Sequence, residues 1–153
     1  MTSLADLNDD FRDLLLALVA EGVEFVIVGA YALALHGVPR FTGDLDVFVR
    51  PGEQNSARLW SALTRFGAPL QAAGISPRDF ATPGLVYQIG LPPRRIDLLT
   101  EISGVTFDDA WATREPATID GHRVDFIGRD ALVRNKLAAG RPKDLADAGR
   151  LKR

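Results

Sequence analysis

Residues 29–49 read GAYALALHGVPRFTGDLDVFV, and this stretch decides the fold. The pattern predicts a glycine that ends a buried strand, then a short helix, a loop, and a second strand that opens with two carboxylates. Successive side chains of a strand point to opposite faces, and each residue advances the chain by about 3.3 Å. Asp44 and Asp46 are therefore expected on one face of a sheet, with their Cα atoms roughly 6.6 Å apart. This arrangement suits the binding of a divalent metal ion.

The composition is typical of one globular domain. Of the 153 residues, 46% are hydrophobic and 25% are charged, so we expect a single domain over residues 1–153. No apolar run reaches the roughly 20 residues that cross a bilayer, and residues 1–6 lack the pattern of a secretory signal. These features predict a cytoplasmic protein without membrane contact. Because the chain contains no cysteine, thiolate metal sites and cysteine nucleophiles are excluded, and Mg²⁺ is the metal that fits best.

Charge is distributed unevenly along the chain, although the net charge is only −2. Residues 1–50 contain three basic and eight acidic side chains, whereas residues 121–153 contain nine basic and four acidic ones. An acidic first part and a basic last part would complement a metal ion and a polyphosphate, but a solvated basic helix face explains the last part equally well. The negative net charge and the lack of an aromatic stacking platform disfavour a general RNA-binding protein.

Hydrophobic periodicity and turn residues predict the remaining elements. Ser3 is the expected cap of the first helix, and Asp120-Gly121 is a typical hairpin turn. Residues 68–84, rich in Gly, Pro, Ser and Ala, favour a mobile loop or a flank of the active site. The fold class is α+β, a mixed sheet flanked by helices with two helices at the C-terminal end. The predicted helices cover 4–21, 53–66, 129–139 and 142–152, and the predicted strands cover 23–28, 44–49, 85–90, 94–99, 117–119 and 122–127.

Four blocks of sequence resemble a known superfamily. They are Val28-Gly29-Ala30, then residues 36–42 before the acidic pair, then Arg95-Ile96-Asp97-Leu98-Leu99, and finally Lys136 with residues 141–147. In this order they resemble the nucleotidyltransferase superfamily with the polymerase-beta-like fold. The likeness is to its minimal bacterial type, which is related to abortive-infection and toxin–antitoxin nucleotidyltransferases.

The resemblance implies a role for each matching residue. Asp44, Asp46 and Asp97 would be the catalytic carboxylates that hold Mg²⁺ or Mn²⁺. The substrate would be a nucleoside triphosphate, and the acceptor would be a hydroxyl of a protein, an RNA end or a small molecule. Backbone N–H groups after Gly29 would meet the phosphates at a helix start. The residues implied in nucleotide binding are Gly29, Ala30, Arg40, Thr42, Lys136, Arg141 and Lys143.

Simpler explanations exist for the same residues. An Asp-x-Asp pair is often a solvated strand edge, and Asp97 follows two arginines with which it could form a local ion pair. Lys136 and its basic neighbours lie near a helix end, where cations complement the helix dipole without any substrate. The superfamily usually has Gly-Gly or Gly-Ser where this chain has Gly29-Ala30. This departure keeps a second function open, a catalytically weak or inactive antitoxin-like regulatory module that works by contacting a toxin or other partner protein.

Overall fold

A six-stranded sheet organises the fold in a computed structural model that describes residues 7–39 and 43–153. A 3₁₀-helix covers Pro77–Ala81. Within the described ranges, no helix combines the length and the apolar character needed to cross a bilayer. The other elements are α1 (Asp9–Ala20), β1 (Phe25–Val28), α2 (Gly29–Leu35), β2 (Leu45–Val49), α3 (Glu53–Phe66), β3 (Val86–Ile89), β4 (Ile96–Leu99), α4 (Phe107–Ala112), β5 (Glu115–Ile119), β6 (His122–Phe126), α5 (Arg129–Ala139) and α6 (Pro142–Leu151).

The strands lie in the order β3-β4-β2-β1-β6-β5. β2 pairs in parallel with β4 and antiparallel with β1, and β1 pairs in parallel with β6. The two hairpins, β3–β4 and β5–β6, form the edges of the sheet. The predicted α+β class with a mixed sheet is therefore confirmed.

The hydrophobic core packs on both faces of this sheet: α1 and α3 cover one face, and Phe107 of α4 packs against Phe48 of β2 on the other, with 5.1 Å between the ring centroids. Phe11, Leu14, Leu15 and Leu18 of α1 are completely buried and form one apolar stripe along the helix. Every residue of β1 is buried as well, which fits a central strand. Since strand side chains alternate, the core residues Val47 and Leu98 leave their neighbours Asp46 and Asp97 on the opposite face.

The first helix begins later than predicted. α1 starts at Asp9, where the Asn8 side chain accepts a hydrogen bond from the backbone N–H of Phe11 at 2.9 Å. The predicted cap, Ser3, lies outside the described residues. Asn is among the preferred capping residues, and its placement directly before two acidic residues suits the positive end of a helix.

Residues 68–84 do not flank the active site, and this prediction was wrong. The Phe80 ring is completely buried and lies 6.4 Å from the ring of Trp60 and 5.9 Å from that of Tyr87. The 3₁₀-helix thereby covers the core face next to α3, away from the acidic pair. One large aromatic anchor outweighs the loop-like composition around it because an aromatic side chain buries so much apolar surface.

Asn55, at the start of α3, forms hydrogen bonds with the backbone next to two neighbouring strands. Its side chain is buried and accepts a hydrogen bond from the backbone N–H of Glu24 at 2.7 Å. Its amide donates to the carbonyl oxygens of Glu24 at 3.0 Å and Arg50 at 2.9 Å. The start of β1 and the end of β2 are thus held together by one polar side chain.

We predict that Asn55→Leu lowers the free energy of unfolding by about 2–4 kcal/mol, because three backbone groups lose their partner in a buried place. Urea denaturation measures this change. Gln54→Leu, at an exposed position one residue earlier on the same helix, should change stability by less than about 0.5 kcal/mol. Equal losses in the two variants would contradict the role assigned to Asn55.

Candidate active site

Two carboxylates lie side by side because β2 and β4 run parallel. Asp46 and Asp97 are partners in the register of these strands. Asp44 precedes β2 by one residue, and its carboxylate accepts a hydrogen bond from the backbone N–H of Arg95 at 3.2 Å. The three acidic side chains predicted from the sequence therefore come together at the starts of two neighbouring strands.

The Arg95 side chain bridges two of these carboxylates. Its guanidinium donates to both oxygens of Asp97, at 2.8 and 3.2 Å, in the paired geometry that arginine and carboxylate favour. The same guanidinium lies 3.5 Å from Oδ2 of Asp44. The ion pair considered for Asp97 in the sequence is thus present, and it extends to Asp44, which the sequence analysis missed. The sequence does contain a signal for the contact between Arg95 and Asp97. They are two residues apart on a strand, so their side chains point to the same face.

Asp46 is the acidic residue of the site with a strongly shifted pKa. The pKa of Asp46 is raised from 3.8 to about 7, first by burial and then by the negative charge of Asp97, a hydrogen bond with Asp97 and the charge of Asp44. The positive charge of Arg95 works in the opposite direction. Asp46 and Asp97 lie close together beside Arg95, and one guanidinium does not compensate the negative charges of both carboxylates.

Gly29 allows the start of α2 to approach Asp46 closely. Its φ is +68°, and a Cβ at this position would lie only 2.1 Å from Oδ2 of Asp46. A side chain is excluded both by the backbone conformation and by the carboxylate. α2 has seven residues, so its dipole is short, and the role of Gly29 visible in the structure is this close approach.

A basic group lies across from the acidic one, where α5 joins α6. Lys136 is 3.5 Å from Asp144 and 3.6 Å from Asp147, and both aspartates are buried. Arg141 donates to Asp144 at 2.6 and 3.2 Å, and this hydrogen bonding lowers the pKa of Asp144. The buried carboxylates thus hold two cations in place at this side of the cleft.

A cleft of about 440 Å³ separates the acidic and the basic groups. Among the residues implied in nucleotide binding, Arg40 and Thr42 lie outside the described residues. All the other predicted site residues line the cleft, together with Leu33, Arg95 and Asp147. The predicted residues that line it are Gly29, Ala30, Asp44, Asp46, Asp97, Lys136, Arg141 and Lys143.

A divalent metal ion in a protein is held by several oxygen ligands around one point. Over residues 7–39 and 43–153, no three His, Asp or Glu side chains are arranged to hold one ion. Arg95 donates to both oxygens of Asp97 and lies close to Asp44. The chemistry nevertheless fits, because carboxylate oxygens are the preferred ligands of Mg²⁺ and the negative charges of Asp97 and Asp44 lie close enough to Asp46 to raise its pKa. The residues therefore suit a metal ion once Arg95 moves away.

Three solved structures share this architecture. A candidate nucleotidyltransferase from Thermotoga maritima superposes with a TM-score of 0.58 at 15% identity, over 92% of this chain and 88% of the other. The chain has the nucleotidyltransferase fold. The same fold is found in ANT(2")-Ia in complex with adenylyl-2"-tobramycin, with a TM-score of 0.53 and 16% identity over 92% of this chain and 84% of that one.

The third protein with the nucleotidyltransferase fold is an antigenic nucleotidyltransferase-like protein from Paracoccidioides brasiliensis. It matches with a TM-score of 0.52 and 16% identity over 95% of this chain and 77% of the other. No family model and no curated protein sequence matches the chain. The shared architecture therefore establishes the fold, and the activity has to be argued from the site.

We predict that Gly29→Ala lowers the free energy of unfolding more than Gly22→Ala does. Both glycines have φ near +70°, at +68° and +71°, so both variants carry the same backbone strain of about 1 kcal/mol. At Gly22 nothing lies within 4 Å of the added Cβ, whereas at Gly29 it meets Asp46. Thermal or urea unfolding of both variants gives the difference, which we expect to exceed about 1 kcal/mol. Equal losses would mean that Gly29 does not contact Asp46.

We predict that Asp46 makes metal-free protein less stable as pH rises. The folded-state pKa of Asp46, about 7, exceeds the ordinary value of 3.8, so between these values the folded state binds the extra proton. The contribution of Asp46 to the free energy of unfolding is complete below its ordinary pKa of 3.8 and is lost as pH rises through its folded-state pKa of about 7. Asp46→Asn should remove this slope and be more stable than wild type at pH 8 by roughly 1–3 kcal/mol. Urea denaturation in a chelator at several pH values measures it. A variant with the wild-type slope would contradict the shift.

Proposed function

We propose that the protein is a metal-dependent nucleotidyltransferase, which transfers a nucleoside monophosphate from a nucleoside triphosphate to a hydroxyl group. One observation carries the proposal: the three carboxylates and the three basic residues Lys136, Arg141 and Lys143 line one cleft. Phosphoryl transfer needs positioning and charge stabilisation rather than a protein nucleophile, and this cleft offers both. Asp44, Asp46 and Asp97 are the proposed metal-binding and catalytic residues.

The reaction would proceed by direct displacement at the α-phosphorus. The acceptor hydroxyl gives its proton to a carboxylate of the site or to water, its oxygen forms a bond to phosphorus, the bond to the bridging oxygen breaks, and pyrophosphate leaves with the bonding electrons. Mg²⁺ or Mn²⁺, when bound by the carboxylates, supplies positive charge to the attacking and leaving oxygens. Lys136 and Arg141, held by Asp144, would bind the triphosphate and neutralise the charge that develops on the pyrophosphate. Gly29 and Ala30 leave room for the phosphates beside Asp46.

A second cleft next to the first has the size and position for the acceptor. It measures about 640 Å³ and shares Gly29, Asp46, Asp97, Lys136 and Arg141 with the first cleft. It continues along the sheet face past Leu99 to Glu101 and Asn135. Two clefts that meet at the carboxylates suit a reaction in which two substrates meet at one phosphorus atom. A protein side chain, an RNA end or a small alcohol would reach the carboxylates from this direction.

The comparisons support the reaction class. ANT(2")-Ia, which has the same fold, is bound to a nucleotidylated product, so this architecture can host nucleotidyl transfer. The four sequence blocks further support a place among the minimal bacterial enzymes of abortive-infection and toxin–antitoxin systems, acting in the cytoplasm where nucleoside triphosphates and Mg²⁺ are abundant.

One observation favours a second candidate function. Arg95 holds Asp97 and Asp44 in an ion pair, and such a closed arrangement would suit a protein that keeps the fold but does not catalyse. The chain would then act as an antitoxin-like or regulatory module that binds a partner protein. Its complex would form equally well when Asp44 or Asp46 is replaced by asparagine.

We predict Mg²⁺-dependent transfer of label from α-labelled nucleoside triphosphates to a component of cell extract. Asp44→Asn and Asp46→Asn should reduce transfer at least about 100-fold, because each removes a carboxylate charge that the metal requires. Gel and thin-layer analysis of the labelled products measures the transfer for each of the four triphosphates. Asp130→Asn, an exposed acidic residue in the first turn of α5 and outside the cleft lining, is the matched control and should transfer as wild type does.

A binding measurement makes the result independent of the acceptor. Calorimetry with each triphosphate and Mg²⁺ should detect binding by wild type and weaker binding by Asp46→Asn. Equal labelling by wild type and both site variants would contradict the proposal. So would the absence of binding for all four triphosphates.

A further inference from the structure

Arg95 occupies the place at the carboxylates that a metal ion would need. Its two hydrogen bonds, at 2.8 and 3.2 Å, use both oxygens of Asp97. A divalent ion bound to Asp97 would sit about 2.0–2.6 Å from one of these oxygens, within a few ångströms of the guanidinium. Two cations at that distance repel each other strongly in a partly buried site. The Arg95 ion pair and a metal ion therefore compete for Asp97.

We propose that Arg95 is a positioning residue that holds Asp97 and Asp44 in the metal-free protein, and that a divalent ion binds by displacing its guanidinium into the cleft. This inference rests on the proposed function, because it assumes that the carboxylates bind a metal. The inference adds that the Arg95 side chain and the metal ion compete for the same carboxylates. Without metal, the Arg95 ion pair stabilises the site and closes it.

The local structure allows the side chain to leave without disturbing the strands. The backbone N–H of Arg95 donates to Oδ1 of Asp44, and its carbonyl oxygen accepts from the backbone N–H of Leu45 at 2.9 Å. Both bonds use backbone atoms of Arg95, so rotation of its guanidinium does not break them. The Arg95 side chain is 28% exposed and opens onto the cleft, which gives it a path.

The cleft also provides a destination. Arg95 lines it together with Lys136, Arg141 and Lys143, which face the acidic group from α5 and α6. Repulsion by these cations makes the displaced guanidinium less stable without an anion, so we expect the metal ion to bind without nucleotide but more weakly than with it. The phosphates of a nucleotide supply that anion, and guanidinium binds phosphate in the same paired geometry as carboxylate. Metal binding and nucleotide binding are thereby coupled through one side chain.

The experiment measures Mn²⁺ binding to metal-free protein without nucleotide, by electron paramagnetic resonance of the free ion. Arg95→Gln removes the competing cation and should tighten Mn²⁺ binding about tenfold relative to wild type. Arg94→Gln is the matched control, because Arg94 is an exposed neighbour with the same charge. Its Mn²⁺ affinity should stay within about twofold of wild type. Asp46→Asn should weaken binding in both backgrounds.

Nuclear magnetic resonance of the wild-type protein gives a second readout that needs no folded Arg95→Gln protein. The Nε–H signal of Arg95, protected by its bond to Asp97, should shift and broaden as Mg²⁺ is added, while the Nε–H signals of Arg50 and Arg114 stay in place. Arg50 and Arg114 are suitable references because their Nε–H groups donate to Glu24 and Asp125, away from the cleft.

Each outcome decides one of the proposals. Equal Mn²⁺ affinity of wild type and Arg95→Gln, or an Arg95 signal that does not respond to saturating Mg²⁺, contradicts the displacement and leaves the proposed function intact. Equal tightening in Arg94→Gln and Arg95→Gln shows a general charge effect and also overturns it. Failure of every variant to bind Mn²⁺ contradicts both proposals.

Discussion

Parallel pairing between β2 and β4 places Asp46 directly beside Asp97, and the mutual repulsion of these carboxylates shapes everything around them. Burial increases the cost of that repulsion, because water no longer screens the charges. The ion pair between Arg95 and Asp97 offsets part of this repulsion. The pKa of Asp46 is raised as well, first by burial and second by the neighbouring carboxylates. Such an expensive arrangement at a cleft is typical of a functional site rather than of a structural ion pair.

The basic side of the cleft follows a different design. Asp144 and Asp147 are buried, yet each lies within 3.6 Å of the Lys136 ammonium, so their charges are compensated inside the protein. This leaves the cations fixed at the cleft rim. Arg129 connects this region to the opposite wall by donating to the carbonyl oxygens of Leu151 and His36. The two walls of the cleft are therefore parts of one packed structure, although they are more than 90 residues apart in the sequence.

Local signals in the sequence predicted most of the elements. Gly67 ends α3 and Gly140 ends α5, both with positive φ, and the Asp120-Gly121 turn joins β5 and β6 as its composition indicated. The same local signals do not predict which strands pair or which distant residues pack together. Nothing local in the chain encodes the β2–β4 register, and Phe80 is recognised as a core residue only when its partners are known. The six-residue α4 is too short to show a periodicity. The predicted site residues that the structure describes line one cleft, whereas the placement of Arg40 and Thr42, the catalytic and binding roles and the single-domain organisation stay predictions.

The backbone and the side chain of Arg95 make separate contacts, and this separation bears on the rate of ligand binding. Its backbone fastens β4 to Asp44 and Leu45, and only its side chain contacts Asp97, so opening the carboxylates requires no movement of a strand, a loop or a helix. Side-chain rotation at a partly exposed position takes picoseconds to nanoseconds, whereas lid and domain movements take microseconds or longer. Ligand capture in this cleft would then be governed by diffusion and by dehydration of the incoming ion, not by a slow rearrangement of the polypeptide.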